Sequence, residues 1–148
     1  MVAIEPITEM ALAIVFGACV PAVSGGAIKQ TVPSEKFAQL SQSEMNEYGV
    51  NDAEAAFRIV TDVGLIIVAQ KDGYCRVIIG EGDPVEARER FKQLLSERGG
   101  YIPTEKGLQE TPDTTVGKID LGHNEYIAIS FTAGSDAGFF ASSFRMKQ

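Results

Sequence analysis

The sequence predicts a single α+β domain over residues 1–148, with an antiparallel sheet of about five strands and two or three helices packed mainly on one side. Three observations carry this prediction. An uncharged apolar stretch near the N-terminus carries helical punctuation, the turn Lys71-Asp72-Gly73 divides two apolar runs, and the last third alternates at strand period between glycine-containing turns. The length suits one domain, which at this size buries roughly 70% of its chain surface. Hydrophobic residues make up 45% and charged residues 22%, so the composition is that of a globular core rather than a disordered chain. No internal repeat and no linker divides it.

The first helix is expected over residues 6–20. Pro6 suits a first turn, Glu9 complements the dipole there, and Pro21 with Gly25-Gly26 provides the stop. Ile7, Met10, Ala11, Ile14, Val15 and Ala18 form one stripe, and Leu12, Ala13 and Phe16 make the other side apolar too. That pattern predicts a central helix buried on several sides. The uncharged run over 10–23 also has the length of a signal-peptide core and is too short for a membrane span. Gly17-Ala18 before Cys19 suits a lipoprotein cleavage site, although Phe16 stands where Leu is usual. Glu5, Glu9 and a first lysine at Lys29 oppose an export signal here. The stretch is therefore read as a buried helix, with any export signal removed upstream.

A shorter helix is expected after Pro33, with Phe37 and Leu40 inward and Met45 and Tyr48 as candidates to extend it to Gly49. Asn51 or Asp52 can cap a further turn, whereas residues 57–61 have the β-branched content of a strand; both readings stay open. Residues 64–70 and 74–79 read as a hairpin about an Asp-Gly turn. Alternation puts Cys75, Val77 and Ile79 on one face and Tyr74, Arg76 and Ile78 on the other. Asp83-Pro84 then opens the best-marked helix, with Glu86 at N3 in a capping-box arrangement. Val85, Phe91, Leu94 and Leu95 supply its stripe, Glu86 and Arg90 an i,i+4 pair, and Gly99-Gly100 its end. A polar loop over 102–115 leads to strands over 116–121, 126–132 and 138–146, turning at 122–124 and 134–136. The expected order is α-α-ββ-α-βββ.

The net charge of −7 and pI near 4.7 argue against a nucleic-acid backbone or an anionic membrane as partner, and favour a basic one. His123 is the sole histidine, in a Gly-His-Asn turn without neighbouring ligands at metal spacing, and no nucleophile-elbow pattern accompanies it. No catalytic residue, metal site or cofactor is expected. Gly80-Glu81-Gly82-Asp83 links a strand to a helix N-terminus, where anions bind, yet it lacks the lysine of a P-loop and its acids repel phosphate. Capping by Asp83 and a tight turn explain it. Glu81, Asp83 and Glu86 offer too few spaced oxygens for a calcium loop, and residues 51–54 fail the same test.

Cys19 and Cys75 are the only cysteines, each on a face expected to be buried. Their spacing leaves a disulfide and two unrelated buried thiols equally open. The helix with Phe16-x-x-Cys19, the strand Tyr74-Cys75-Arg76-Val77 and the helix Ala87-Arg88-Glu89-Arg90-Phe91-Lys92-Gln93-Leu94-Leu95 resemble a group of small secreted or lipoprotein domains of proteobacteria. In that functionally uncharacterised group an early helical cysteine precedes a Cys-x-Val strand and an amphipathic helix. The resemblance covers about residues 14–95 and implies a disulfide between Cys19 and Cys75 and a periplasmic or secreted location, not an activity. The chain departs from the group in showing no signal peptide, which keeps a cytoplasmic location as the alternative.

In the final strands, Ile127, Ile129 and Phe131 are expected to line up with Phe140, Phe144 and Met146 as the core face. The reverse face then carries Tyr126, Ala128, Ser130 and Thr132 beside Phe139, Ala141, Ser143 and Arg145. It is flat and composed of small residues, suited to a packed helix, a docking surface or solvent. Phe139, Tyr126 and Arg145 are the candidate contact residues, because aromatics and arginine are enriched at binding hot spots. The leading functional expectation is a non-enzymatic interaction protein of the cell envelope, of inhibitor, immunity or accessory-subunit type, with a protein partner. The alternative is a small-molecule binder or enzyme with a pocket between the first helix and the sheet.

Overall fold

The apolar N-terminal run forms helix α1 (Pro6–Val23), which continues beyond the expected stop at Pro21. Proline has no N–H to donate and its ring crowds the carbonyl four residues back. The helix meets that demand by widening to a π segment over Val15–Cys19, where the N–H of Val20 donates to the Val15 carbonyl. The computed structural model describes residues 6–23, 37–50, 52–61, 64–71, 73–98, 100–101, 104–105 and 108–147. The expected stop at Gly25-Gly26 and the helix start at Pro33 lie outside them.

The other described helices are α2 (Gln42–Glu47) and α3 (Pro84–Arg98). The strands are β1 (Phe37–Gln39), β2 (Ala55–Thr61), β3 (Gly64–Lys71), β4 (Tyr74–Ile79), β5 (Gly100–Tyr101), β6 (Thr104–Glu105), β7 (Leu108–Gln109), β8 (Thr114–Gly122), β9 (Glu125–Ala133) and β10 (Phe139–Lys147). β6 and β7 pair with each other, and the rest form one antiparallel sheet in the order β1-β2-β3-β4-β10-β9-β8-β5. Seven of its strands have three residues or more and β5 adds a two-residue edge, against the five expected. The difference has two sources. Residues 37–39, expected in a helix, pair with Ile59, Arg58 and Phe57 as an edge strand. The ambiguous segment 55–61 is a strand in register with β3. α2 begins instead at Gln42, where Ser41 and Glu44 form the reciprocal capping box.

α1 and α3 lie on one face of the sheet. Ala11, Leu12, Val15, Phe16, Cys19, Ala22 and Val23 of α1 pack with Ala87, Phe91, Leu94 and Leu95 of α3 on Val68, Val77, Ile129, Phe131 and Phe139. α1 is therefore a surface-layer helix: Met10, Ala13, Gly17 and Pro21 face outward, contrary to the expectation of burial on several sides. By length and composition it could cross a membrane; in this fold more than half of it is buried. Gly117 admits α3, since a Cβ there would collide with the Leu95 side chain. Val85, expected in the stripe, is 68% exposed. Arg90 also departs from its expected partner, reaching Glu9 of α1 at 2.9 Å and so tying the two helices together. On the reverse face a second cluster joins Leu40 and Val50 to Ala56, Ile67 and Ala69, with Met45 and Tyr48 packed against it.

The sulfurs of Cys19 in α1 and Cys75 in β4 are at bonding distance, with Cα atoms 5.4 Å apart. Both residues are buried, so the thiols implied by the cytoplasmic alternative would have no access to solvent. The bridge spans 56 residues, and the chain-entropy model gives about 4 kcal/mol for a loop of that size. Reduced protein should therefore unfold at a markedly lower denaturant concentration than oxidised protein. Equal midpoints for the two forms would show that the bridge does not constrain the unfolded chain.

Candidate functional site

Face assignment in the last three strands depends on register. β9 and β10 pair Phe131 with Ala141, Phe139 with Ala133 and Ile129 with Ser143. Odd residues thus face odd residues, and the expected alignment of Phe131 with Phe140 is one residue out. A slip of one residue sends every side chain of a strand to the other face. The register is set by the connection over 134–138, in which the Gly134 N–H donates to the Gly138 carbonyl at 2.8 Å. Gly138 has φ +74°, and a Cβ there would strike the Ile79 carbonyl, so this five-residue loop requires glycine. The Gly134 to Gly138 spacing was the available signal.

The three predicted contact residues are consequently separated. Phe139 is 2% exposed and stacks on Phe131, centroids 4.7 Å apart, within the helix-covered core. Tyr126 lies on the reverse face but is 2% exposed, with the Lys118 ammonium 4.2 Å above its ring. Arg145 is exposed and opposes Ile127, on the side opposite Tyr126. Its Nη2 donates to both oxygens of Glu125, at 2.9 and 3.1 Å. That hydrogen bond holds the Glu125 carboxyl below the ordinary carboxylate range. His123 is exposed at φ +54° beside Asn124 at +63°, the pair of positive angles that a two-residue hairpin loop uses.

What the reverse face does present is a different group from the same strands. Phe140 and Phe144 of β10 stand beside Tyr74 and Arg76 of β4, because Ser142 opposes Arg76 and Phe144 opposes Tyr74. Phe140 is 39% exposed, and Tyr74, Arg76 and Phe144 are partly exposed. The Tyr74 and Phe144 rings lie 5.2 Å apart. The Arg76 guanidinium sits 5.3 Å from the Phe140 centroid and 5.7 Å from that of Tyr74. Its Nε donates to the Ser142 hydroxyl at 2.9 Å. Among the described residues the cluster of Leu40 and Val50 lies over β2 and β3 and takes in Ile78 of β4 but not Tyr74, Arg76, Phe140 or Phe144.

Among the described residues no group of three His, Cys, Asp or Glu side chains is placed to hold a metal ion. Asp83 caps α3, its Oδ1 accepting from the N–H groups of Val85 and Glu86 at 2.8 and 3.3 Å. The fold and this surface define an α+β protein built on one large antiparallel sheet, with a cross-linked helix layer on one face and an aromatic-arginine platform on the other. No protein family, curated protein or solved structure matches the chain.

The register separates the two adjacent phenylalanines. Phe139→Ala should cost about 3–5 kcal/mol of unfolding free energy, and Phe140→Ala about 1 kcal/mol or less. Similar losses for both would contradict the assignment of faces. Glu125 offers a second check. A depressed carboxyl pKa contributes stability above the unfolded-state value that is lost as pH falls through the folded one. In an NMR titration the Glu125 side chain should titrate below ordinary glutamates, and Arg145→Gln should return it to their range.

Proposed function

We propose that this chain is a non-enzymatic interaction protein of an oxidising compartment, the periplasm or the cell exterior, and that it contacts a protein partner through the Tyr74–Arg76–Phe140–Phe144 platform. The single observation that carries the reading is a partly exposed aromatic-arginine cluster on a sheet whose other face carries the helix layer and the main core. Such residues supply large contact area at little cost in side-chain freedom, which is why they recur at hot spots. The compartment is supported by the Cys19–Cys75 pair, since disulfides persist where thiols are not kept reduced. The net charge of −7 favours a partner that is basic overall.

The alternative of a ligand pocket between the first helix and the sheet has less support. That space holds the ring series Phe16, Phe91, Phe131 and Phe139, with successive centroids 5.8, 4.8 and 4.7 Å apart. Each ring is at most 4% exposed. The test is capture from a cell-envelope extract of the source organism, using wild type, Phe140→Ala and Phe144→Ala. The reading expects one partner enriched by wild type and lost by both variants, with thermal unfolding near that of wild type. Retention of that partner by both well-folded variants would place the contact elsewhere.

A further inference from the structure

Arg76 is set apart from the other arginines by what surrounds it. Arg58, Arg88, Arg90 and Arg145 each meet a carboxylate within ion-pair distance. Arg98 lies at the last turn of α3, where the helix dipole favours a cation. Among the described residues Arg76 has neither partner: its contacts there are the rings of Tyr74 and Phe140 and the Ser142 hydroxyl. Ser142 is buried, so the acceptor that orients the guanidinium is itself fixed in the sheet. A guanidinium carries five N–H donors in a planar fork, and among the described residues only the Nε–H is used here. The two terminal nitrogens remain to meet the paired oxygens of a carboxylate, the geometry for which this fork is best matched.

The neighbouring side chains set the length of the partner segment. Phe140 and Phe144 are four residues apart on β10, about 13 Å at strand rise, and Ser142 with its bonded Arg76 lies midway. The row reads apolar, cationic, apolar along the strand direction. An extended chain laid along it presents residues i, i+2 and i+4 toward the sheet at the same period. A single aromatic acid is too short to meet both rings and the guanidinium.

Resting on the docking role proposed above, we infer that the platform binds an extended peptide segment with an acidic residue flanked at two positions on either side by apolar side chains, its carboxylate seated on Arg76. The segment supplies one local negative charge, which is compatible with a partner that is basic elsewhere. Ion pairing to a guanidinium already held between rings requires little further ordering of the receptor.

The probe is acetyl-Phe-Ala-Asp-Ala-Phe-amide, compared with the same peptide carrying Asn in place of Asp and followed by NMR of the oxidised full chain. The Asp peptide should bind about tenfold more tightly than the Asn peptide. It should shift the signals of Arg76 Nε–H and the Phe140 and Phe144 rings. Arg76→Gln, with an unchanged unfolding midpoint, should bring the two peptides to equal affinity, and Phe140→Ala should weaken both. Equal affinities for wild type would overturn the carboxylate assignment and leave the docking reading standing. N-acetylphenylalanine binding as tightly as the Asp peptide would reassign the site to a small aromatic acid. Absence of binding by both peptides would overturn the inference, and only if Phe140→Ala and Phe144→Ala also kept the captured partner would the docking reading fall with it.

Discussion

The antiparallel pairing of β4 with β10 is the constraint on which the rest of the structure depends. It joins the N-terminal meander β1-β2-β3-β4 to the C-terminal meander β8-β9-β10, two runs that would otherwise be separate small sheets. Its register, Phe139 opposite Ile79 through Phe144 opposite Tyr74, decides which residues of both halves share a face. On one side it completes the apolar floor formed by Cys75, Val77, Phe139 and Ala141; on the other it brings Arg76 beside Ser142. Core and platform are therefore two consequences of a single alignment. The α3 crossover makes that alignment possible, carrying the chain from β4 over the sheet to the far edge at β5 so that β10 can return to the centre.

The helix layer is held by interactions of different character. Phe16 of α1 and Phe91 of α3 meet each other, and Phe91 meets Phe131 of the sheet, so rings from both helices and the strands form one continuous series. Aromatic pairs in such tilted and offset arrangements add about 0.5–1.5 kcal/mol each beyond area burial. The Glu9–Arg90 ion pair lies at the surface margin, where its contribution is small and mainly fixes how the helices sit beside each other. The π segment in α1 is the local adjustment that lets a proline-containing helix keep Cys19 facing Cys75.

Local signals read well in the sequence where they were complete in themselves. Asp83-Pro84 started α3, β3 and β4 paired as the expected hairpin, and the residues around His123 formed the β8–β9 hairpin. The misreadings occurred where a non-local partner decided the outcome. Residues 37–39 became a strand because the edge of β2 was available to pair with them. Arg90 chose Glu9 across the helix interface over Glu86 within its own helix. In the candidate surface, alternation along each strand was correct, but the relation between strands was set by a loop whose count of residues is odd. Phe139 and Phe140 exchanged roles on that count alone. Arg76 was assigned to the correct side of its hairpin, yet nothing local to β4 announced that β10 would be its neighbour.

The covalent bridge has a further consequence for how the molecule would respond to a cut chain. The ring closed by Cys19 and Cys75 contains β1, α2, β2 and β3. A protease cleaving the backbone once anywhere inside that ring would produce two polypeptides but not two particles. The fragment bearing α1 would remain attached to the strand at the centre of the sheet. Electrophoresis without reductant would still show one species, and the pieces would part only when the sulfur bond was also broken. The edge strand β1 can thus be nicked without shedding the helix that shields the core.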